Sequence, residues 1–409
     1  MLSSESVSPN GLALSFFKRN GVFMYKKKER RRNLTTAILS LSLLTVMAGA
    51  AVAPALNVIK EYFSDVDQTL VQMIISIPAL FIFLTNMIFP KLCSLFRAKE
   101  LTLAGLVLYV VGGCAAGLFS NIWLVLVFRA LVGVGVGIIM PMSTGLLSFY
   151  YTRDKQDKLM GYSSAMNQMG GVIATLISGL LAGISWRASF LVYLLGLLSV
   201  VLCLLFLPNE KISSNSEKRE KGIFKQYYAF IIAMFLLMFT FFVYPSVFAI
   251  ETAKSGIIPM QYVAVIMAAM DLIAFFGGLS FAGIKKTLGE KTKYVAPVLF
   301  LAGYVSLLLL EGWPGAIIGS ACIGFANGLG IPFIMSTAGQ CAGRAAATTV
   351  MPLLSMALYL AQFTTPMILS IIGSSTPYFV ASCSALIFVV WSYLIKIPKA
   401  GKEAVIQEK

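Results

Sequence analysis

Apolar residues along this chain are gathered into long runs that are separated by short polar stretches. Most runs are long enough to cross a hydrocarbon core of about 30 Å, which takes roughly 20 helical residues. The runs are continuous rather than alternating, which favours helices over the strands of a barrel. The pattern predicts twelve transmembrane helices, here called spans 1 to 12, at 34–56, 69–90, 101–119, 122–147, 160–183, 188–207, 227–249, 260–283, 294–310, 315–338, 347–372 and 377–395.

Polar stretches between the runs indicate how the chain is divided. Tails at 1–33 and 397–409 flank the spans, and a linker at 208–226 separates a first bundle (34–207) from a second bundle (227–396). On one side of the predicted membrane the loops hold only Lys60, Arg187 and Lys254, and nearly all other Lys and Arg lie on the opposite side. By the positive-inside rule, we expect a multi-pass protein of the cytoplasmic membrane with both tails in the cytoplasm.

A weak internal repeat relates the two bundles. Span 4 contains Gly135 and Gly137 followed by Met-Ser-Thr at 142–144, and span 10 contains Gly328 and Gly330 followed by Met-Ser-Thr at 335–337. Both elements recur at an offset of 193 residues. Parallel repeats of this kind are typical of transporters. We therefore predict an all-α polytopic membrane protein with two six-helix bundles related by a pseudo-two-fold axis.

Composition excludes several classes of protein. Only 12% of the residues are charged, about half the fraction that soluble proteins carry, so a soluble or disordered chain is excluded. Histidine is absent, which excludes His-based catalytic triads and His-ligated zinc. The six cysteines form no C-x-x-C pair and are expected to be small buried hydrophobes.

The remaining composition bears on partners and energy source. The net charge of +15 reflects orientation and attraction to anionic lipid heads rather than a nucleic-acid partner. No phosphate-binding Gly-Lys-Ser/Thr motif is present, so we expect no nucleotide, no cofactor and no metal. Energy must then come from a gradient of protons or another coupling cation, and we expect the protein to work as a monomer in the lipid bilayer.

Two charged residues are predicted inside the spans, where each is costly to insert. Asp271 lies midway along span 8 and is the only carboxylate in a predicted span. We interpret it as a proton or cation carrier facing a water-filled cavity, with a structural partner for a buried donor as the alternative. Arg129 lies in the outer third of span 4. As a functional residue it would bind an anionic substrate or couple to proton release, and the alternative is a structural or snorkelling arginine near the outer interface.

Uncharged residues complete the candidate site. Six polar side chains are candidates for substrate binding, with hydrogen bonding between helices as the alternative for each: Gln72, Asn167, Gln168, Tyr244, Asn327 and Gln362. Small residues four apart allow helices to approach closely, and prolines kink helices. On these grounds we expect roles in helix packing and gating for Pro54, Gly133, Gly135, Gly137, Gly179, Gly183, Pro245, Gly324, Gly328 and Gly330.

Four motifs occur in order along the spans. Span 1 ends in Ala-Pro54-Ala-Leu, span 4 contains Arg129-x-x-x-Gly133-x-Gly135, Trp-Arg-Ala-Ser-Phe at 186–190 opens span 6, and Gln-Phe-Thr-Thr-Pro at 362–366 lies in span 11. In this order they resemble the major facilitator superfamily of secondary transporters, over nearly the whole chain. The resemblance implies alternating access and a cavity lined by spans 4 and 8, hence the hypothesis that Arg129 and Asp271 interact there.

The chain departs from the family pattern at two places. In the loop after span 2, Ser94 and Leu95 stand where the family motif has Asp and Arg, which puts the charge latch associated with that motif in question. Span 5 lacks the Gly-Pro pair of drug–proton antiporters at 178–183. This weakens an antiporter assignment without excluding it.

The sequence thus predicts a secondary transporter that moves a small organic molecule by alternating access, by proton-coupled efflux in the manner of bacterial efflux permeases. Proton-coupled uptake of a metabolite is the alternative. A membrane-embedded enzyme or a sensor without transport are remote alternatives, because the chain has neither His nor a cluster of acids at one interface.

Overall fold

The fold is described from a computed structural model that covers residues 31–211, 223–372 and 376–395. The predicted tails, apart from residues 31–33, and the centre of the predicted linker lie outside the described residues. Within the described part the chain is helical, with no strand. The α-helices are α1 Arg31–Ala50, α2 Leu56–Tyr62, α3 Gln68–Leu95, α4 Ala98–Ala116, α5 Ile122–Tyr150, α6 Arg153–Ala182, α7 Trp186–Ser189, α8 Gly196–Phe206, α9 Ile223–Ser255, α10 Met260–Leu288, α11 Val295–Leu309, α12 Trp313–Ile372 and α13 Pro377–Leu394.

These helices account for the predicted spans. Eleven stretches of the described residues are long and apolar enough to cross a membrane. One of them, Val265–Leu309, has 45 residues, more than twice the length that a single crossing needs. It contains most of α10, a 3-10 segment at Gly289–Tyr294 and all of α11, with Gly289 in the left-handed region at φ 55°. The stretch therefore holds spans 8 and 9, and all twelve predicted spans correspond to helices.

Spans 10 and 11 differ from the prediction in their connection. The sequence pattern places a break between 338 and 347, whereas the helical segment α12 runs without interruption through 60 residues. The chain nevertheless folds back on itself between these spans. The evidence is the closeness of Gly339 and Met351: a Cβ built on Gly339 would lie 2.8 Å from the methyl group of Met351. Twelve residues of straight helix span about 18 Å. The two arms of α12, 313–342 and 349–369, are therefore separate spans joined by a helical bend.

Span 1 ends earlier than predicted. α1 stops at Ala50 and is followed by a 3-10 turn at Ala53–Ala55 and then by α2. The cause is Pro54, which has no N–H to continue the ladder and clashes with the preceding turn. Val52 donates to the carbonyl of Gly49 at 3.4 Å instead of to Ala48. The break leaves carbonyl groups at the end of α1 for side chains from other spans.

The two bundles meet along several pairs of helices. α6 of the first bundle packs against α10 of the second, α3 packs against α12, and α12 also contacts α5 and α6. One end of both bundles carries a concentration of lysines and is called the basic end below; it includes Lys99, Lys155, Lys158, Lys285, Lys286, Lys291 and Lys293. The other is called the opposite end.

A pair of lysines at the basic end repeats the same contact in both bundles. Lys99 Nζ donates to the carbonyl of Leu204 at 2.6 Å, and Lys293 Nζ donates to the carbonyl of Ile395 at 2.9 Å. In each case a lysine near the start of the third span of its bundle holds a carbonyl at the end of the sixth. Cations are favoured at helix C-termini, where carbonyls lack partners. The internal repeat therefore extends to contacts that the sequence motifs did not include.

Candidate functional site

A cleft lies between the bundles near the middle of the spans, with an empty volume of about 340 Å³. The first bundle contributes mainly hydroxyl groups and one amide, and the second contributes apolar side chains. No charged side chain lines it. This central cleft is lined by Ser42, Thr45, Met140, Ser143, Thr144, Met160, Ser163, Ser164, Asn167, Ile331, Pro332 and Met335.

Hydrogen bonds organise the polar wall of the central cleft. The Ser42 hydroxyl lies 2.6 Å from that of Ser143 and 2.7 Å from that of Ser163, which joins α1 to α5 and α6. Thr45 donates to Oδ1 of Asn167 at 2.5 Å. The Nδ2 group of Asn167 has no described hydrogen bond, so its two N–H groups are available to a ligand.

A proline explains one contact between the bundles. Pro332 cannot donate a backbone hydrogen bond, so the carbonyl of Gly328, one turn before it, is left free. The hydroxyl of Ser164 on α6 donates to that carbonyl at 3.3 Å. The contact lies beside the cleft and forms part of the boundary between α6 and α12.

Four side chains close the basic end, and we call them the latch: Asp157, Lys285, Ser336 and Gln340. Lys285 Nζ lies 2.6 Å from Oδ1 of Asp157, which links α10 to α6. Ser336 and Gln340, both on α12, also donate to this oxygen, Gln340 at 2.8 Å. The salt bridge is only about one fifth exposed on either side chain. Partial burial strengthens such pairs relative to exposed ones.

Close backbone approach accompanies the latch. A Cβ built on Gly161 of α6 would lie 2.5 Å from the carbonyl oxygen of Gly278 on α10, and one built on Gly339 would lie 2.8 Å from the hydroxyl of Ser148 on α5. Only glycine permits this spacing. Ser164 and the latch both make side-chain hydrogen bonds that join the two bundles. The bundles are therefore held together from the central cleft to the basic end.

Arg129 lies away from the central cleft, fully buried in the first bundle. Its Nε donates to the carbonyl of Ile74 at 2.7 Å, a group that Pro78 leaves without its helical partner. Another nitrogen donates to the carbonyl of Ala48 at 2.6 Å, at the break in α1, and a third to the hydroxyl of Tyr193. Arg129 thus ties α5 to two helices whose ladders are interrupted, and Asp271 is not among its described partners.

Asp271 is half-buried on α10. It is spaced seven and fourteen residues from Gly278 and Lys285, so the three share one helix face, and the latter two contact α6. Within the described part of the chain it has neither a salt bridge nor a hydrogen bond. It is a carboxylate on the helix that adjoins the first bundle.

Two other candidates lie at the contact between α6, α10 and α12. Gln168 and Asn327 are buried, and the Nε2 atom of one and the Oδ1 atom of the other have no described hydrogen-bond partner. On α12, Gly324 and Gly328, which flank Asn327, lie against the carbonyls of Met270 and Ala274. These buried polar atoms retain hydrogen-bonding capacity, which is costly unless a partner is supplied in another state.

Tyr244 belongs to a second polar cluster in α9, beside Pro245. The hydroxyl of Tyr304 accepts from the backbone N–H of Tyr244 at 3.1 Å and donates to the carbonyl of Thr240 at 2.5 Å. It is inserted where a helical hydrogen bond would otherwise form, which is a recognised cause of bends. The Tyr244 hydroxyl lies 2.5 Å from that of Ser320 on α12. Tyr244 thus contacts other helices inside the second bundle and does not line the central cleft.

The remaining candidates are spread over the fold. Gly133 and Gly137 lie against α3, Gly135 lies against α4, and Gly330 lies against Leu237 and Ala296. Gly179 and Gly183 are exposed, so the close helix approach found at the other pairs does not occur there. Gln362 is half-buried on the second arm of α12, and the side chain of Gln72 lies outside the described residues.

Sequence reasoning overlooked the residues that form the latch and much of the cleft wall. Asp157 precedes the apolar run of span 5 and therefore looks like a loop residue. The serines and threonines of the cleft look like ordinary helix residues of a membrane span. One signal was available, because Met-Ser-Thr at 142–144 and 335–337 supplies Ser143 and Thr144 to the cleft and Ser336 to the latch.

Comparison with known proteins agrees with this architecture. The multidrug efflux pump SdrM of Staphylococcus aureus is 23% identical over 207 residues, which cover 49% of this chain and 46% of that protein. An uncharacterized transporter of Schizosaccharomyces pombe is 29% identical over 160 residues, 39% of this chain and 32% of that protein. The chain thus aligns with less than half the length of these curated relatives.

Solved structures share the fold at lower identity. The proton:xylose symporter XylE superposes with a TM-score of 0.75 at 13% identity, over 91% of this chain and 96% of that one. The Escherichia coli fucose:proton symporter FucP gives 0.70 at 14%, over 88% and 97%. The family model described as Major Facilitator Superfamily matches residues 38–366. This membrane-embedded, multi-pass chain therefore belongs to the Major Facilitator Superfamily of transporters.

Proposed function

We propose that this protein exports small amphipathic organic molecules across the cytoplasmic membrane in exchange for protons, with both termini in the cytoplasm. The observation that carries the proposal is the uncharged central cleft between the bundles, with hydroxyl groups on the side of the first bundle, apolar side chains on the side of the second, and methionines on both. The names of curated relatives support the direction, since one is a multidrug efflux pump and others are a multidrug transporter and a quinolone resistance protein.

The lining of the cleft sets the expected chemistry of the substrate. Methionine is adaptable and is common at surfaces that bind varied apolar ligands. Hydroxyls and the Asn167 amide supply hydrogen bonds to a polar edge without demanding a charge. Because no carboxylate or ammonium group lines the cleft, strongly anionic or polycationic substrates gain no ion pair there. We therefore expect neutral or singly charged molecules with one apolar face.

In this proposal, alternating access depends on the closing and opening of the latch. With the basic end closed, the cleft exchanges with the opposite side of the membrane. Breaking the Asp157–Lys285 salt bridge and separating Gly161 from Gly278 opens the basic end. Asp271 lies on the α10 face that takes part in this movement. Protonation of its carboxylate in one state and release in the other would couple the proton gradient to the substrate.

Transport in vesicles tests the direction and the coupling. Inside-out membrane vesicles with an acidic interior are given a panel of neutral and monocationic dyes, including ethidium, with and without the protein. Export predicts accumulation of at least one dye that collapses when nigericin dissipates the proton gradient. A lack of protein-dependent accumulation across the panel, or accumulation that is insensitive to nigericin, would contradict proton-coupled efflux.

Uptake in symport with protons remains a second candidate. Hydroxyl side chains are suited to hydroxylated metabolites, and two structural neighbours are sugar:proton symporters. Right-side-out vesicles in acidic medium separate the two functions. Symport predicts accumulation of a radiolabelled sugar or polyol in these vesicles, whereas efflux predicts that the dyes leave them.

A further inference from the structure

A ladder of contacts joins α6 to α10 at the boundary between the bundles. At the basic end Asp157 lies 2.6 Å from Lys285. Nearer the middle, a Cβ built on Gly278 would lie 2.9 Å from the backbone nitrogen of Ala165, and one built on Gly161 would lie 2.5 Å from the carbonyl oxygen of Gly278. Residue numbers rise along α6 as they fall along α10, so the two helices are antiparallel.

Continuing this ladder places Gln168 opposite Asp271. Gln168 is seven residues beyond Gly161, and Asp271 is seven residues before Gly278. Seven residues make nearly two helical turns, so each side chain shares a face with its glycine. They also rise about 10 Å along either helix. Because the helices are antiparallel, both residues lie at the same level, one heptad nearer the opposite end than the glycine contact.

The hydrogen-bonding capacities of these two side chains are complementary. Gln168 is only 9% exposed, and its Nε2 atom has no described hydrogen-bond partner. The half-buried carboxylate of Asp271 has no described partner either. An amide N–H can only donate and a carboxylate can only accept. A buried donor without a partner is costly, which favours a partner in another state of the molecule.

No other strong charge is presented to this level by the neighbouring helices. The sequence has no acidic or basic residue at 159–182 of α6, 230–250 of α9 or 313–342 of α12. On α9 the titratable side chain is Tyr244, whose hydroxyl lies 2.5 Å from that of Ser320. Gln168 is therefore the polar side chain on the facing helix that can respond to the charge of Asp271.

We propose that Gln168 is a positioning residue for the proton carrier, whose amide N–H donates to the ionised carboxylate of Asp271 when the opposite end closes. The inference rests on the proposed function, in which Asp271 carries the coupling proton. With the basic end closed, no described hydrogen bond joins the two side chains, and the carboxylate takes up a proton from the opposite side. Closure of the opposite end brings α6 and α10 together at this level. The amide then stabilises the ionised form, and the proton leaves to water at the basic end, while Gln168 neither gains nor loses a proton.

Cysteine cross-linking tests the juxtaposition whatever the protein transports. Gln168→Cys and Asp271→Cys are combined in the full chain, and a short bismaleimide is added in membranes. We expect a link between positions 168 and 271, identified by mass spectrometry, that forms faster when Asp157→Asn opens the basic end. Asn86→Cys with Asp271→Cys is the control, because Asn86 is buried on α3, which packs against α5 and α12. Absence of the 168–271 link in both backgrounds would overturn the proposal.

Vesicle transport tests the effect on coupling. Gln168→Leu should lower gradient-driven accumulation of a dye about tenfold, the factor for one hydrogen bond to a charged group, and leave counterflow of the same dye unchanged. Gln168→Met is a second variant in case the first is unstable. Asn86→Leu also removes a buried carboxamide and should leave both measurements unchanged. Loss of counterflow in the Gln168 variants would instead assign this side chain to substrate binding and overturn the proposal.

Moving the carboxylate to the other helix separates positioning from a structural role. Asp271→Asn combined with Gln168→Glu exchanges the amide and the acid across the same contact. The double variant should recover much of the accumulation that Asp271→Asn alone loses, and no recovery in a double variant with the wild-type melting temperature would overturn the proposal. If the wild type itself accumulates no dye, the proposed function fails, and cross-linking still decides whether the pair exists.

Discussion

Asp157 of α6 and Lys285 of α10 form a 2.6 Å salt bridge that joins the two bundles at the basic end. Two further donors, from Ser336 and Gln340 on α12, converge on the same carboxylate oxygen. The loop after span 2, where the family pattern places a charge latch, carries Ser94 and Leu95 instead. In this protein the polar connection at the basic end is therefore made by α6, α10 and α12 rather than by that loop.

Asp157→Asn should shift the protein towards states with an open basic end. The substitution leaves Lys285 partly buried without its counter-ion, which costs roughly 2 kcal/mol and changes the open-to-closed ratio by more than tenfold. Distances between spin labels placed on α6 and α10 at the basic end measure the shift. The exchange variant Asp157→Lys with Lys285→Asp should recover much of the closed population, and failure of Asp157→Asn to open the basic end would contradict the role of the latch.

Arg129→Lys should destabilise the first bundle without changing the pH dependence of transport. Lysine keeps the charge but lacks the planar fork that reaches Ile74, Ala48 and Tyr193 at once. We expect a loss of about 2–3 kcal/mol in unfolding free energy, because buried carbonyls lose their donors. The exposed Arg187→Lys serves as the control. A shifted pH profile of transport in stable Arg129→Lys protein would instead indicate direct participation in proton coupling.

Ser164 and Pro332 should be energetically coupled, although they lie in different bundles. Ser164→Ala leaves the carbonyl of Gly328 unpaired and should cost about 1 kcal/mol. In a Pro332→Ala background the alanine N–H can pair with that carbonyl, so the same substitution should cost little. A double-mutant cycle from unfolding titrations measures the coupling. Equal costs in both backgrounds would show that the proline does not create the free acceptor.

Much of the fold could be predicted from the sequence because the length and continuity of an apolar run are local properties. The repeat was visible for a related reason, since Met-Ser-Thr follows the glycines in both bundles. The latch was not predicted, because Asp157 and Lys285 are 128 residues apart in the sequence. Both lie just outside the predicted spans, where nothing in the sequence indicates which residue each one contacts. Which helix ends meet depends on how the bundles pack, and spacing along the chain does not contain that information.

Arg129 shows a different limit. The sequence identified it correctly as a charge within a span, and its cost in lipid suggested function. Its described acceptors are backbone carbonyls and one phenol, and two of these carbonyls are free because of interruptions near Pro54 and Pro78. The prolines were visible in the sequence, but the carbonyls that they release carry no residue signature. The structural role of Arg129 therefore depends on contacts between helices that its position in the sequence does not indicate.

Two buried tyrosines should respond in opposite ways to loss of the hydroxyl. The hydroxyl of Tyr109 has no described partner in the fully buried site that it occupies, so Tyr109→Phe should stabilise the protein by about 1 kcal/mol. Tyr304→Phe removes two hydrogen bonds, but Thr240 and Tyr244 can then pair with each other as in an ordinary helix. We expect a loss below about 1 kcal/mol and a straighter α9. Unfolding titrations measure both, and a loss above about 2 kcal/mol in Tyr304→Phe would exclude such re-pairing.

Asp271→Asn should abolish accumulation driven by a proton gradient while sparing exchange of substrate at equilibrium. The amide has nearly the same shape but cannot exchange a proton at physiological pH, and the native carboxylate has no described ion-pair partner whose loss would disturb folding. Gradient-driven accumulation and counterflow of the same dye, in the same vesicles, separate coupling from binding. Glu251→Gln is the matched control, since that acid pairs with Lys254 near the opposite end, at 2.7 Å. Full gradient-driven transport in Asp271→Asn would show that another group couples transport to protons. Loss of counterflow as well as accumulation would indicate that Asp271 binds the substrate itself.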